Sequence, residues 1–215
     1  RLSAKRRGSD PISEEAEDEA EWANDRMLVE RIDACRAWIG VDPDCSGAVA
    51  VLWEEEESNG REGISSRKAV QATADQSQEV AGIRLAQVVS TPTKKVQVGK
   101  MMRTRHDSVR MLEELNRLAL PEAGCIAFVE SPQLLPSSGK QGAMQSGYGF
   151  GVWVGLLTAL GAEIRLVNPR VWKSASGLIG QDKDASRALA AAQFPSTAGE
   201  LTRKKDHGRA EALLI

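Results

Sequence analysis

Two short apolar runs separated by a five-residue turn constrain this chain most. Ala37–Asp42 is apolar with a β-branched centre, Pro43-Asp-Cys-Ser-Gly47 has turn composition, and Ala48–Trp53 is apolar and β-branched again. Strand–turn–strand sequences of this kind predict an antiparallel hairpin buried on both faces, because neither run alternates with polar residues. The first run also ends in Asp42. A carboxylate there stands at the edge of the sheet with little freedom, although Asp42 and Asp44 could equally do no more than shape the turn.

The same pattern returns downstream. Ile83–Thr91 predicts a third strand. Asp107 is placed to cap an amphipathic helix with Met111, Leu112, Leu115, Leu118 and Ala119 on one face, which Pro121 ends. Gly124-Cys-Ile-Ala-Phe-Val129 then predicts a central strand terminating in Glu130. Open α/β sheets bind ligands outside the carboxyl ends of their strands, and an unpaired buried carboxylate is costly, so a metal or cation is expected beside Glu130. A loop rich in Pro, Ser and Gly is expected from Ser131 to Gly149. A small-residue helix from about Phe150 to Leu160 follows, with Trp153 as a packing anchor. A strand at Glu163–Val167 leads to a helix begun by Pro169, a helix from about Asp184 to Phe194, and a last helix entered near Asp206. The order β-β-β-α-β-α-β-α predicts an α/β fold: a mixed sheet with an antiparallel opening hairpin and helices on both faces.

Charge divides the chain. The formal net charge is −2, yet residues 1–79 carry 19 acids and 10 bases and residues 80–215 carry 11 acids and 18 bases. Residues 1–25 run from a basic stretch into Ser13-Glu-Glu-Ala-Glu-Asp-Glu-Ala-Glu21, too polar to bury a core, so a charged arm is expected there and one domain over 26–215. The basic remainder suggests a polyanionic partner. With 41% apolar residues and 4% aromatics, collagen-like, coiled-coil and disulfide-scaffold classes are excluded. Cys35, Cys45 and Cys125 have no zinc-ligand spacing and fit a reducing compartment. No apolar run approaches the roughly 18 residues of a membrane span. The chain starts without Met and stops at Glu211-Ala-Leu-Leu-Ile215 in what reads as mid-helix, so a shortened chain is expected and a targeting peptide outside it is left open.

The last acidic cluster is Lys204-Lys-Asp-His-Gly-Arg-Ala-Glu-Ala212. Asp206 can cap the final helix. Within one helix Asp206 and Glu211 would diverge by about 140°, so they converge only if Asp206 precedes the helix and bends back. His207 shares the face of Glu211, as a substitute ligand or a proton handler. Strand-end Asp, strand-end Glu and helix acids together are oxygen ligands of the kind Mg²⁺ takes for phosphodiester hydrolysis.

Gly40-Val-Asp-Pro with Ser46-Gly-Ala-Val-Ala-Val51, Val129-Glu130, Gln145-Ser-Gly-Tyr-Gly-Phe-Gly151, Val167-Asn-Pro-Arg-Val-Trp-Lys173, Gly180-Gln-Asp-Lys183 and Ala210-Glu-Ala-Leu-Leu214 in this order resemble successive blocks of the RuvC-type Holliday-junction resolvases. The likeness is nearest to the plastid (monokaryotic-chloroplast) resolvases of plants and runs over about 37–215. It implies an RNase H-like fold and a homodimer that binds four-way DNA junctions. It further implies paired symmetric nicks made with Mg²⁺ or Mn²⁺, two ions per site, leaving 5′-phosphate and 3′-hydroxyl ends, and a plastid location. Position by position, Asp42 would bridge both ions, Glu130 would hold one, and Asp206 and Glu211 would complete the catalytic set. Bacterial relatives place the last two ligands three residues apart and use Asp where Glu211 stands, which leaves Asp206 against His207 open. An aromatic residue follows the strand-end Glu in the bacterial enzyme and helps open the junction; Gln133, Leu134 and Leu135 stand there instead. Lys94, Lys95, Lys100, Arg103, Arg105 and Lys140 would contact phosphates, Gln141, Ser138 or Ser146 would read base edges, and Lys173 and Lys183 would neutralise the scissile phosphate. An RNA:DNA hybrid nuclease, an actin-like or sugar-kinase-like ATPase fragment and a non-catalytic nucleic-acid-binding module are the competing readings. The ATPase reading lacks the further phosphate and adenosine loops it needs.

Overall fold

A computed structural model of the chain describes residues 36–54, 83–118, 120–121, 124–133 and 139–215, all within one compact unit, Arg36–Ile215. The charged arm at 1–25, the turn after Glu54, Ser138, Leu134 and Leu135 lie outside the described residues. The elements run β1 (Ala37–Asp42), β2 (Ala48–Glu54), β3 (Ile83–Ser90), β4 (Thr93–Val98), β5 (Met101–His106), α1 (Ser108–Arg117), β6 (Cys125–Glu130), α2 (Gly139–Ala159), β7 (Glu163–Val167), α3 (Pro169–Ala175), α4 (Lys183–Gln193), and α5 (His207–Leu214), with 3-10 turns at Pro195–Glu200 and Lys204–Asp206.

Five strands form one sheet in the order β3-β2-β1-β6-β7, and β4-β5 pair as a separate hairpin. β1 is central, antiparallel to β2 and parallel to β6, and β7 is parallel to β6. The expected mixed sheet with an antiparallel opening hairpin is therefore present. Side chains alternate between its faces. Ile39, Val41, Val49, Val51, Ala127 and Val129 point to one face and are covered by Met111 and Leu115 of α1 and Trp153 and Leu157 of α2. Trp153 is the anchor its position implied: like Met111 and Leu157 it is fully buried, and each such side chain contributes roughly 2 kcal/mol of transfer free energy. Ala48, Ala50, Ala86 and Val88 point to the other face, against Ala190 and Phe194 from α4 and its end and Ala210, Ala212 and Leu213 of α5. Small residues let α5 come close. A Cβ on Gly40 would lie 2.0 Å from the Ala212 carbonyl oxygen, and one on Gly208 would lie 2.2 Å from that of Ser46.

Four expectations are corrected. The hairpin β4–β5 is absent from the expected element order: Lys94 and Lys95 lie on β4 and Arg103 and Arg105 on β5. Its strands are short, largely exposed and basic, so they lack the apolar alternation that marks a strand in sequence. The glycine-rich loop is mostly helix, since α2 starts at Gly139 rather than near Phe150. Its glycines disfavour a helix by propensity, but tertiary approach requires at least one: a Cβ on Gly149 would lie 2.2 Å from the His106 ring. Finally, Asp107 stands at the N-cap of α1 without a side-chain cap bond, because its carboxylate faces Lys94 Nζ at 3.5 Å. Leu112 is also 39% exposed rather than part of the buried face.

Candidate active site

The site begins with strand register. Val41 pairs with Val129 in the parallel β1–β6 ladder, so the next residues, Asp42 and Glu130, end neighbouring strands on the same face, with the backbones about 4.8 Å apart. Because Val41 and Val129 face α1 and α2, the two carboxylates face α5. Asp42 is tightly fixed. A Cβ on Gly47 would fall 2.1 Å from its carbonyl oxygen and 2.6 Å from its Cγ, so only glycine closes this turn, and the Asp44 N–H donates to Asp42 Oδ1 at 3.2 Å.

Helices supply the rest. Asn168 caps α3 by accepting from the Arg170 N–H, and Pro169 starts the helix. One turn on, the Trp172 indole Nε1–H donates to Glu130 Oε2 at 2.7 Å. Lys173 Nζ lies 3.2 Å from Glu211 Oε1 on α5 and 5.0 Å from the centre of the Trp172 ring.

Electrostatics tie the group together. Burial pushes the Asp42 carboxyl up to about 7; the Asp44 N–H opposes this, and the charges of Asp44, Glu211 and Glu130 add to the rise. Burial also raises Glu130, against the Trp172 hydrogen bond and the Lys173 charge, with Glu211 and Asp44 reinforcing it. Three acids thus crowd one sheet end. Such crowding is costly unless a cation relieves it.

Asp206 is placed differently. It is buried at the end of the 3-10 turn and gives α5 no side-chain cap bond. Its carboxylate bends back and accepts from the Arg203 N–H at 2.8 Å and the Arg203 guanidinium Nη2 at 2.8 Å, which holds it below the usual carboxylate range. Lys183 Nζ donates to His207 Nε2 at 3.0 Å. So the structure brings Asp42, Glu130, Glu211 and Lys173 together, while Asp206 pairs with Arg203 and His207 with Lys183.

The donor set fits a hard divalent ion, being carboxylate oxygen throughout. Among the described residues, however, no three His, Cys, Asp or Glu side chains converge closely enough to hold a metal. Each acid is instead engaged by a protein donor: Asp42 by Asp44, Glu130 by Trp172, Glu211 by Lys173. Trp172 stands out in the sequence only as part of Val167-Asn-Pro-Arg-Val-Trp-Lys173; an indole four residues after a helix cap carries no sign of which carboxylate it meets.

The basic residues fall into two groups. Lys94, Lys95, Arg103 and Arg105 lie on the β4–β5 hairpin with Lys100 at its turn. Lys140 and Gln141 occupy the first turn of α2. Arg105, Lys94 and Gln141 share a cavity of about 410 Å³ with Val98, His106, Met144, Gln145 and Tyr148. No helix among the described residues is long and apolar enough to cross a membrane.

No family model matches the chain. The Thermus thermophilus RuvC solved in complex with a Holliday junction substrate aligns with a TM-score of 0.46 at 14% identity, over 83% of this chain and 89% of that one. A second T. thermophilus RuvC structure gives 0.43 at 17%, over 83% and 92%. The chloroplastic Holliday junction resolvase MOC1 of Chlamydomonas reinhardtii is 47% identical over 89 residues, which are 41% of this chain and only 10% of that protein's length.

Proposed function

We propose that this chain is a Holliday-junction resolvase, a metal-dependent DNA endonuclease that makes paired symmetric nicks in four-way junctions and leaves 5′-phosphate and 3′-hydroxyl ends. The observation that carries the reading is that Asp42 and Glu130 end neighbouring strands and both feel the charge of Glu211, with Asp42 raised to about 7. The identity shared with a chloroplastic resolvase over 89 residues supports the substrate class and a plastid location.

In this reading residues 26–215 form the nuclease domain, 1–25 a charged arm, and two copies act as a homodimer. Asp42, Glu130 and Glu211 would hold Mg²⁺ or Mn²⁺, two per site. Asp206 would complete the set by giving up Arg203, or His207 by giving up Lys183. The ions supply Lewis-acid stabilisation of the attacking and leaving oxygens. The protein supplies the rest. Asp42 releases the proton its burial retains when a cation takes that place. Trp172 orients Glu130 through Oε2. Lys173 Nζ, released as Glu211 turns to a ligand, neutralises the scissile phosphate, with Lys183 as the second lysine for it. Lys94, Lys95, Lys100, Arg103, Arg105 and Lys140 hold phosphates, and Gln141 reads a base edge.

The test offers the protein an immobile four-way junction, a matched duplex and an RNA:DNA hybrid, each with Mg²⁺, Mn²⁺ or EDTA. Metal-dependent paired nicks confined to the junction are expected. Cleavage of the hybrid alone, or of nothing with either metal, would overturn the reading.

A further inference from the structure

A second cluster of ligating atoms lies on the other side of the β1–β2 turn. His106, at the end of β5, is 2% exposed, and its Nε2 lies 2.9 Å from the Pro43 carbonyl oxygen. A carbonyl only accepts, so Nε2 carries the proton and Nδ1 carries the lone pair. Cys45 Sγ lies 3.6 Å from Nδ1. The Gln145 side-chain amide donates to both, at 2.8 Å to Nδ1 and 3.3 Å to Sγ.

We propose that Cys45 Sγ and His106 Nδ1 form a binding site for a borderline-soft transition-metal ion of the Zn²⁺ class, separate from the carboxylate site. A tetrahedral ion about 2.3 Å from sulfur and about 2.0 Å from nitrogen requires those two atoms about 3.5 Å apart, which is the separation found. The histidine already has the required tautomer. Its outer N–H is bound to a backbone carbonyl, the arrangement that orients ligating imidazoles. Burial also lowers its basicity, so it is neutral at physiological pH. Gly149 keeps the ring in place, since any larger residue would strike it.

The third position falls to Gln145. Rotating its amide replaces the two donated hydrogen bonds by one Oε1 ligand. Gln145 and His106 line the cavity of about 410 Å³, which leaves a path for entry and room for a water in the fourth position. On binding, the Cys45 thiol loses its proton to solvent as the metal–sulfur bond forms. Burial raises that thiol and the Asp44 charge adds to the rise, with the Gln145 amide and the Arg105 charge opposing it. Arg105 and Lys94 on the cavity wall favour an ion that brings little charge once its thiolate is counted. The bound ion would join the β1–β2 turn to β5 three residues from Asp42.

Titration of the full chain with Co²⁺, a spectroscopic substitute for Zn²⁺, tests this. A thiolate-to-cobalt charge-transfer band whose amplitude corresponds to one ion per chain is expected, displaced by Zn²⁺. Cys45→Ser should abolish the band, His106→Gln should weaken the cobalt affinity read from the band at least tenfold, and Asp42→Asn should leave the band and the affinity read from it unchanged. Absence of the band, its survival in Cys45→Ser, unaltered affinity in His106→Gln, or its loss in Asp42→Asn would each overturn the proposal. Since no readout involves nicking, a chain that fails to cut junctions leaves this result standing.

Discussion

The Trp172 indole donates to Glu130 at 2.7 Å while its ring carries Lys173 at 5.0 Å. One side chain on α3 thus orients a strand-end carboxylate and seats the cation facing Glu211. Hydrogen bonds to charged groups contribute about 1.5–3 kcal/mol, and this one opposes the rise that burial imposes on Glu130.

Trp172→Phe keeps the ring and removes the N–H. Glu130, already raised by burial, should rise further. Junction nicking is expected to fall roughly tenfold or more at pH 7, and the acidic limb of the pH–rate profile should move to higher pH. A tenfold loss with an unmoved profile would show that the indole only packs.

Asp42 links pH to stability. Its folded value of about 7 stands above the ordinary 3.8, so the native state binds the proton more tightly than the unfolded chain does. Its contribution is fully present below about pH 4 and is lost as pH rises through 7. The full effect is roughly 4 kcal/mol at most. Denaturant unfolding in EDTA should therefore show lower stability at pH 8 than at pH 5 from this group, and Asp42→Asn should flatten that difference. The same variant and Glu130→Gln should abolish nicking while junction binding persists. Normal cutting by Asp42→Asn would remove Asp42 from the metal set.

The strand ends were legible because apolar runs closing on a carboxylate are local signals: Asp42 and Glu130 could be placed from their own segments. So could β7 and α4, to within a residue. What each helix side chain meets is not local. Nothing near Trp172 names Glu130, 42 residues away, and nothing near Asp206 says that Arg203 will claim a carboxylate apparently available as a cap or ligand. The β4–β5 hairpin was hidden for another reason. It buries little, and burial is what writes a period into a strand.

Close approach of α5 to the β1–β2 turn predicts an intolerant glycine. Gly208→Ala would set a Cβ 2.2 Å from the Ser46 carbonyl oxygen and 2.8 Å from the Gly47 Cα. Both are backbone, so α5 must shift and carry Glu211 with it. A loss of about 1–3 kcal/mol is expected in denaturant unfolding, together with loss of nicking. Gly199→Ala, where a Cβ meets nothing within 4 Å, is the control and should differ little from the parent.

The hairpin gives a prediction about salt. Lys95 and Lys100 are exposed, and Lys95 Nζ donates to Thr104 Oγ1 at 2.7 Å. If each neutralises one phosphate, log affinity falls with log salt by about 0.9 for each contact. Lys95→Ala and Lys100→Ala should therefore each flatten the slope of junction affinity against salt by about 1, weakening all junction sequences alike. The double variant should flatten it by about 2, because well-separated contacts add. An unchanged slope in the double variant would remove the hairpin from the DNA-binding surface and leave these lysines as an ordinary solvated face.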